Sequence, residues 1–142
     1  MPRHALSAIL EATLTRLSPE RLTRAKAVEL LRASPAPPRA GLVIALGKAA
    51  APMLAGWRSA GLPPWPTYVS APHPAPGAPA APSATDASTH SFCGGHPLPN
   101  SQSLTAAEAM LAAARALAAD SEPARLVALI SGGGSALAEL PR

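Results

Sequence analysis

Hydrophobic positions near the start of the chain recur every three to four residues. This spacing predicts an amphipathic helix over residues 4–17. The positions are Leu6, Ile9, Leu10, Thr13, Leu14 and Leu17. Directly afterwards, Ser18-Pro19-Glu20 combines an N-cap residue, a proline suited to the first helical position and an acid for the first turn. We therefore predict a second helix that begins at Pro19 and ends near Ala33.

Short, nearly continuous apolar runs follow and predict strands. The run Gly41-Leu-Val-Ile-Ala-Leu46 is typical of a strand buried on both faces, as in a parallel sheet, and residues 125–130 have the same character. Further strands are predicted at 66–70 and 91–93, and further helices over 49–58 and from Asn100 or Ser101 to about Ala119. This alternation of strands and helices predicts an α/β fold with a mainly parallel sheet.

Residues 71–90 interrupt the pattern because they are rich in proline and alanine. Such a composition predicts an extended, poorly ordered surface loop. His73 and His90 fall within it, so we interpret both as solvated side chains without a functional role.

Length and composition indicate one domain with a thin core. The 142 residues are 48% hydrophobic, but much of that share is alanine, and aromatic residues make up only 3%. The net charge of +4 suggests nucleic acid as a partner, but the basic residues are scattered and no aromatic side chains interleave with them. We therefore expect no nucleic acid partner.

Cys93 is the single cysteine, which excludes an intrachain disulfide and a cysteine-based zinc site. The first residues lack the apolar run of a signal peptide, and no stretch approaches the length of a membrane span. We expect a cytoplasmic protein without a membrane partner.

Lys48 is the first candidate functional residue. It follows the strand predicted at 41–46 and lies beside the N-terminus of the next helix, where the helix dipole disfavours a cation by up to about 1 kcal/mol. A phosphate or carboxylate at the same place would explain the lysine, whereas the alternative is a solvated side chain that points away. The segment is not a Walker A loop, because five residues separate Gly41 from Gly47 and Ala49 replaces the Ser/Thr that binds magnesium.

Three consecutive glycines follow the last predicted strand and lie between Ser131 and Ser135. A dinucleotide fingerprint is excluded because Leu137 occupies the third glycine position, and a nucleophile elbow is excluded because its final glycine is missing. A simple turn would need one glycine rather than three. We interpret the loop as a cradle for a phosphate or carboxylate, formed by Ser131, Gly132, Gly133, Gly134 and Ser135.

His96 is held between a glycine and two prolines in Gly95-His-Pro-Leu-Pro99. The stiff backbone suits a histidine that donates a hydrogen bond to an anion, and it equally suits a histidine in a plain turn. Both interpretations remain open from the residue type alone.

Three motifs in order resemble the start of the class II glycerate 2-kinases, the MOFRL/DUF4147 family. They are Gly47-Lys-Ala-Ala50, Gly95-His-Pro-Leu-Pro99 and Ser131-Gly-Gly-Gly-Ser-Ala-Leu137. The resemblance covers nearly the whole chain except 71–90. It implies a Rossmann-like three-layer domain that faces a second domain across a cleft, and ATP-dependent phosphorylation of D-glycerate at its 2-hydroxyl with Mg²⁺.

The resemblance also implies roles for individual residues. Lys48 corresponds to the catalytic lysine of the family, and the remaining motif positions correspond to its substrate- and phosphate-binding residues. Those positions are Gly47, His96, Ser131, Gly132, Gly133, Gly134 and Ser135. The resemblance assigns no metal ligand in this chain.

Members of that family are longer, and this chain resembles about their first third. The resemblance therefore implies that residues 1–142 are the N-terminal part of the first domain, and that the remainder could be another chain. We expect this chain to be inactive alone, since phosphoryl transfer needs several charged groups at once. A non-catalytic module that binds an anion such as phosphate, or that serves as an interaction module, is the alternative. Hydroxypyruvate reductase, a label of some relatives, is a weaker one because the dinucleotide fingerprint is missing.

Overall fold

The structure is a computed structural model that describes residues 3–33, 40–73, 88–119 and 124–141. Within these residues the helices are α1 (Arg3–Arg16), α2 (Pro19–Ala33), α3 (Ala50–Arg58) and α4 (Ser101–Ala119). The strands are β1 (Ala40–Leu46), β2 (Thr67–Ala71), β3 (Thr89–Cys93) and β4 (Ala124–Ile130). All predicted helices and strands are present, with ends within two residues of the predicted ones.

The four strands form one parallel sheet in the order β3-β2-β1-β4. β1 lies between β2 and β4, which explains why its sequence is a continuous apolar run. The register pairs Leu46 with Ile130 at the ends of β1 and β4. The residues that follow these two strands therefore emerge side by side. The α/β prediction with a parallel sheet is confirmed.

Helices cover both faces of the sheet and produce three layers. Val43 and Ala45 of β1 belong to the core cluster that includes Leu54 and Trp57 of α3. The alternate residue Leu42 faces α4 instead, because neighbouring residues of a strand point to opposite faces. Trp57 and Trp65 are the two largest residues of this core cluster, and their ring centroids are 6.1 Å apart.

The predicted loop 71–90 was too long at both ends. Ala71 belongs to β2, and Thr89 and His90 belong to β3, while residues 74–87 lie outside the described part of the chain. The prediction that His90 lies in a loop was wrong, because His90 belongs to β3, whereas its side chain is exposed as expected and its ring stacks on Tyr68 at a centroid distance of 4.6 Å. Parallel pairing of Tyr68 with His90 creates this strand, and local composition does not reveal such pairing.

The apolar side of α1 forms as predicted but is not buried. Its leucine and isoleucine side chains, and Leu17 just after the helix, are each more than half exposed in the described residues: Leu6, Ile9, Leu10, Leu14 and Leu17. On β4, Leu126 and Ile130 are also more than half exposed. The core is therefore formed by β1, β2, β4, α2, α3 and α4, and the described residues of α1 contribute no buried side chain.

Candidate functional site

Three loops meet at one edge of the sheet. Because all four strands are parallel, their carboxyl ends lie at the same edge, which is where open α/β sheets bind ligands. Lys48 follows β1, His96 follows β3 and the triple glycine follows β4. The fold therefore brings the three sequence motifs to one place.

The turn after β1 is fastened to the loop after β4. The Ser131 N–H donates to the Leu46 carbonyl at 2.9 Å, and the Lys48 N–H donates to the Gly132 carbonyl at 3.1 Å. Gly47 lies between them with a φ of 113°, and a Cβ atom there would collide with Ser131 Oγ. A glycine is needed at position 47 for this junction to close.

The Ser131 side chain caps the neighbouring helix. Its Oγ accepts a hydrogen bond from the Ala49 N–H at 2.9 Å, and Ala49, at the N-cap of α3, makes no side-chain cap of its own. The hydroxyl therefore satisfies a donor in the first turn that would otherwise lack a partner. Ser131 positions the Lys48 turn, a contact that the sequence interpretation did not include.

Three backbone N–H groups at the start of α3 are already used inside the protein. Those of Lys48, Ala49 and Ala50 donate to Gly132, Ser131 and Gly47. In contrast, the N–H groups of Gly132, Gly133 and Gly134 have no acceptor among the described residues. Donors for an anion therefore come from the glycine loop, and at the start of α3 the Ala51 N–H also has no acceptor among the described residues.

Gly133 is the point at which Lys48 and His96 meet. A Cβ atom built on Gly133 would lie 2.8 Å from Cδ2 and Nε2 of His96 and 3.5 Å from Cε of Lys48. Both side chains are exposed, so a ligand can reach them. With a φ of 83°, Gly133 also adopts a left-handed conformation that side chains disfavour. The structure therefore places a cation and an imidazole together against Gly133 of the glycine loop.

Two further predicted residues lie at the rim of this cluster. Ser135 is exposed and belongs to a short 3₁₀ turn over Gly134–Ala136. Gly134 is buried beside Leu46 and Ile130, where β1 and β4 end. The loop therefore turns back onto the sheet immediately after Gly133 and presents Ser135 to solvent.

Buried serines that the sequence did not reveal support the His96 loop. Ser103 is fully buried, and its Oγ accepts from the N–H groups of Gly95 at 3.0 Å and Asn100 at 3.2 Å. Asn100 caps α4 as predicted, because its Oδ1 accepts from the Ser103 N–H at 2.9 Å. The only sequence signal for Ser103 is its position three residues after an N-cap asparagine.

Ser70 plays a similar supporting role at the end of β2. It is fully buried, and its Oγ donates to the carbonyl of Leu137 at 2.6 Å. Its own carbonyl accepts from the Gly47 N–H at 3.2 Å. One serine thus joins the Lys48 turn to the segment after the glycine loop, and nothing in the sequence around Ser70 distinguishes it from an ordinary strand residue.

The residues around Gly133 offer donors for an anion rather than ligands for a metal ion. Mg²⁺ prefers oxygen ligands, and the described residues contain no group of three or more His, Cys, Asp or Glu side chains that could hold a metal. The side chains that meet around Gly133, Lys48 and His96, include no carboxylate, so by themselves they would not hold Mg²⁺. A phosphate or carboxylate suits unpaired N–H groups beside a lysine.

No helix in the described residues is both long and apolar enough to cross a membrane.

Comparison with known proteins gives a family and no individual relative. The family model described as "Domain of unknown function (DUF4147)" matches residues 5–142. No curated protein and no solved structure matches the chain. This domain is the N-terminal part of MOFRL/glycerate kinase-type proteins. Since the match extends over almost all of the chain, the protein belongs to the DUF4147 family.

Proposed function

We propose that this chain forms the phosphate- and carboxylate-binding part of a glycerate 2-kinase site. In that reaction the 2-hydroxyl oxygen of D-glycerate bonds to the γ-phosphorus of ATP, the bond from that phosphorus to the β,γ-bridging oxygen breaks, and the hydroxyl proton is released. The observation that carries the proposal is the convergence of Lys48 and His96 on Gly133. Membership of a family that forms part of glycerate kinase-type proteins supports it.

Lys48 has the central role in this proposal. Phosphoryl transfer depends on positioning and on neutralising the charge of the phosphoryl oxygens, and an ammonium group beside unpaired backbone donors does both. The loop N–H groups of Gly132 and Gly133 would bind the phosphate oxygens. Lys48 would then be the catalytic residue, since it touches the transferred group.

His96 has a more limited role. Its exposed imidazole lies against Gly133 and can donate a hydrogen bond to a carboxylate or phosphate oxygen. We propose that it orients the carboxylate of glycerate while Lys48 faces the phosphate. Because these groups are few, we propose that turnover needs charged residues from the remainder of the enzyme, which could be another chain.

Isothermal titration with D-glycerate, 2-phosphoglycerate and ATP tests the proposal. We expect Lys48→Ala to weaken 2-phosphoglycerate binding by about tenfold to a hundredfold, because a hydrogen bond to a charged group contributes about 1.5–3 kcal/mol. The matched control is Lys26→Ala, which removes the other lysine and an exposed ion pair with Glu29. The proposal fails if the chain binds none of the three ligands or if both variants behave alike.

A non-catalytic anion-binding module is the second candidate. It is favoured by the lack of a metal-ligand group in the described residues. A coupled assay of ADP release with ATP and D-glycerate separates the two functions. Binding of 2-phosphoglycerate without ADP release, also after a completing polypeptide is added, would support the module and not the kinase.

A further inference from the structure

One buried hydroxyl closes the loop that carries His96. Ser103 Oγ accepts hydrogen bonds from the N–H groups of Gly95, at 3.0 Å, and of Asn100, at 3.2 Å. Gly95 comes directly before His96, and Asn100 comes directly after Pro99. A single oxygen atom therefore holds the backbone at both ends of the segment 96–99.

The Ser103 hydroxyl has no capacity left for another partner. A serine hydroxyl can accept two hydrogen bonds and donate one, and Ser103 Oγ uses all of these, since it also donates to Asn100 Oδ1 at 3.2 Å. The residue is 0% exposed, so neither solvent nor a ligand reaches it. Ser103 therefore acts on the loop and not on a bound molecule.

The loop that Ser103 closes is tightly folded. A Cβ atom built on Gly95 would collide with the carbonyl oxygen of Leu98, so the two ends of the loop approach each other closely. The Asn100 Nδ2 group donates to the Cys93 carbonyl at 3.2 Å, which ties the far end of the loop back to the end of β3. We therefore expect the loop to move as one body when its clamp is removed, and His96 to move with it.

The His96 loop is also joined to the segment that follows the glycine loop. The Ser103 carbonyl accepts from the Glu139 N–H at 3.4 Å. Gly94 packs against the fully buried Leu137, because a Cβ atom built on Gly94 would lie 2.9 Å from Leu137 Cα. The His96 loop and the glycine loop are thus fixed relative to each other, partly through Ser103.

We propose that Ser103 is a positioning residue of the anion site, and that it holds the His96 imidazole against Gly133. The proposal rests on the role given to His96 under the proposed function, where the imidazole orients a carboxylate. Ser103 contributes to ligand binding only through His96, because its own hydroxyl is buried and fully used.

The position of His96 can be measured without any ligand. A Cβ atom built on Gly133 would lie 2.8 Å from His96 Cδ2, so we expect a nuclear Overhauser effect between the ring proton on that carbon and the Gly133 Hα protons. Ser103→Ala should lose this effect, whereas Thr105→Ala should keep it. Thr105 is the matched control, because it also lies near the start of α4, is exposed, and donates only along the helix to the Ser101 carbonyl at 3.0 Å.

Unfolding curves show whether each variant is folded. If Ser103→Ala does not fold, Ser103→Cys replaces it, since a thiol is of similar size but is a weak acceptor, and the effect should then decrease. An unchanged nuclear Overhauser effect in a folded Ser103 variant would overturn the proposal.

Ligand binding tests whether Ser103 acts through His96. In isothermal titration we expect Ser103→Ala to weaken 2-phosphoglycerate binding about threefold to tenfold, as for the loss of one hydrogen bond. In a chain that also carries His96→Ala, Ser103→Ala should have no further effect. An equal loss in both backgrounds would contradict the proposal. If the unmodified chain binds no 2-phosphoglycerate, the proposed function fails, whereas the nuclear Overhauser effect still shows whether Ser103 positions His96.

Discussion

At the scale of single residues, Gly133 has the most demanding position in the chain. It combines a positive φ with two functional side chains at its surface, so a methyl group at this position would meet both backbone strain and the His96 ring. The sequence indicated that glycines were needed here but not which of the three faces Lys48 and His96.

The substitution Gly133→Ala separates strain from displacement of the ring. We expect about 1 kcal/mol of lost stability from the left-handed conformation and at least tenfold weaker binding of 2-phosphoglycerate, because His96 must move. Gly61→Ala is the matched control, since Gly61 has a φ of 79° and no atom within 4 Å of its built Cβ. Chemical unfolding and calorimetric titration measure the two effects. Unchanged ligand binding in Gly133→Ala would remove the His96–Gly133 contact from the site.

At the scale of elements, the site depends on how α3 begins. The helix has no cap from its own sequence and takes one from Ser131, which belongs to a loop far along the chain. The Lys48 turn and the glycine loop are therefore one structural unit. A substitution in one of these two segments should therefore alter the structure of the other.

The substitution Ser131→Ala tests this unit. We expect unfolding to require about 0.5–2 kcal/mol less free energy, as for the loss of other helix caps, because the Ala49 N–H loses its acceptor. Ser135→Ala serves as the stability control, because Ser135 is exposed and its hydroxyl makes no hydrogen bond to a described residue. Urea unfolding of both variants measures this difference. Equal unfolding midpoints for Ser131→Ala and Ser135→Ala would show that the cap does not stabilise the fold.

At the scale of the whole molecule, the apolar side chains of α1 are exposed, whereas those of α3 are buried in the core. Leu54 of α3 is 6% exposed, whereas Leu10 of α1 is 58% exposed. Both residues are leucines on amphipathic helices, and the local sequence pattern does not show which one is buried. The difference arises from how the helices pack in the tertiary structure.

Truncating one leucine in each helix measures how much each contributes to the unfolding free energy. We expect Leu54→Ala to lower the unfolding free energy by about 2–5 kcal/mol, because it leaves a cavity in the core. We expect Leu10→Ala to change it by no more than about 0.5 kcal/mol, as for other surface positions. Equilibrium unfolding at several protein concentrations is the measurement. A large, concentration-dependent loss in Leu10→Ala would instead show that α1 is covered by a second molecule.

Much of the fold was predictable because its signals are local. The buried run of β1, the start signal at Pro19 and the Asn100 cap each depend on neighbouring residues, and the structure contains all three. β3 was shortened in the prediction because Thr89 and His90 become a strand only through pairing with β2. The supporting serines Ser70 and Ser103 were missed for the same reason, since their partners are distant in sequence or hidden in loops.

The sequence by itself determined the set of helices and strands, the α/β class and the residue types of three loops. Periodicity, caps and turn residues act within a few positions, so the chain displays them directly. Only the tertiary structure decided that Lys48 and His96 meet at Gly133, that Ser131 caps α3 and that Trp65 has an unpaired donor. These facts arise from the parallel strand register and from packing between distant segments, and no local pattern encodes them.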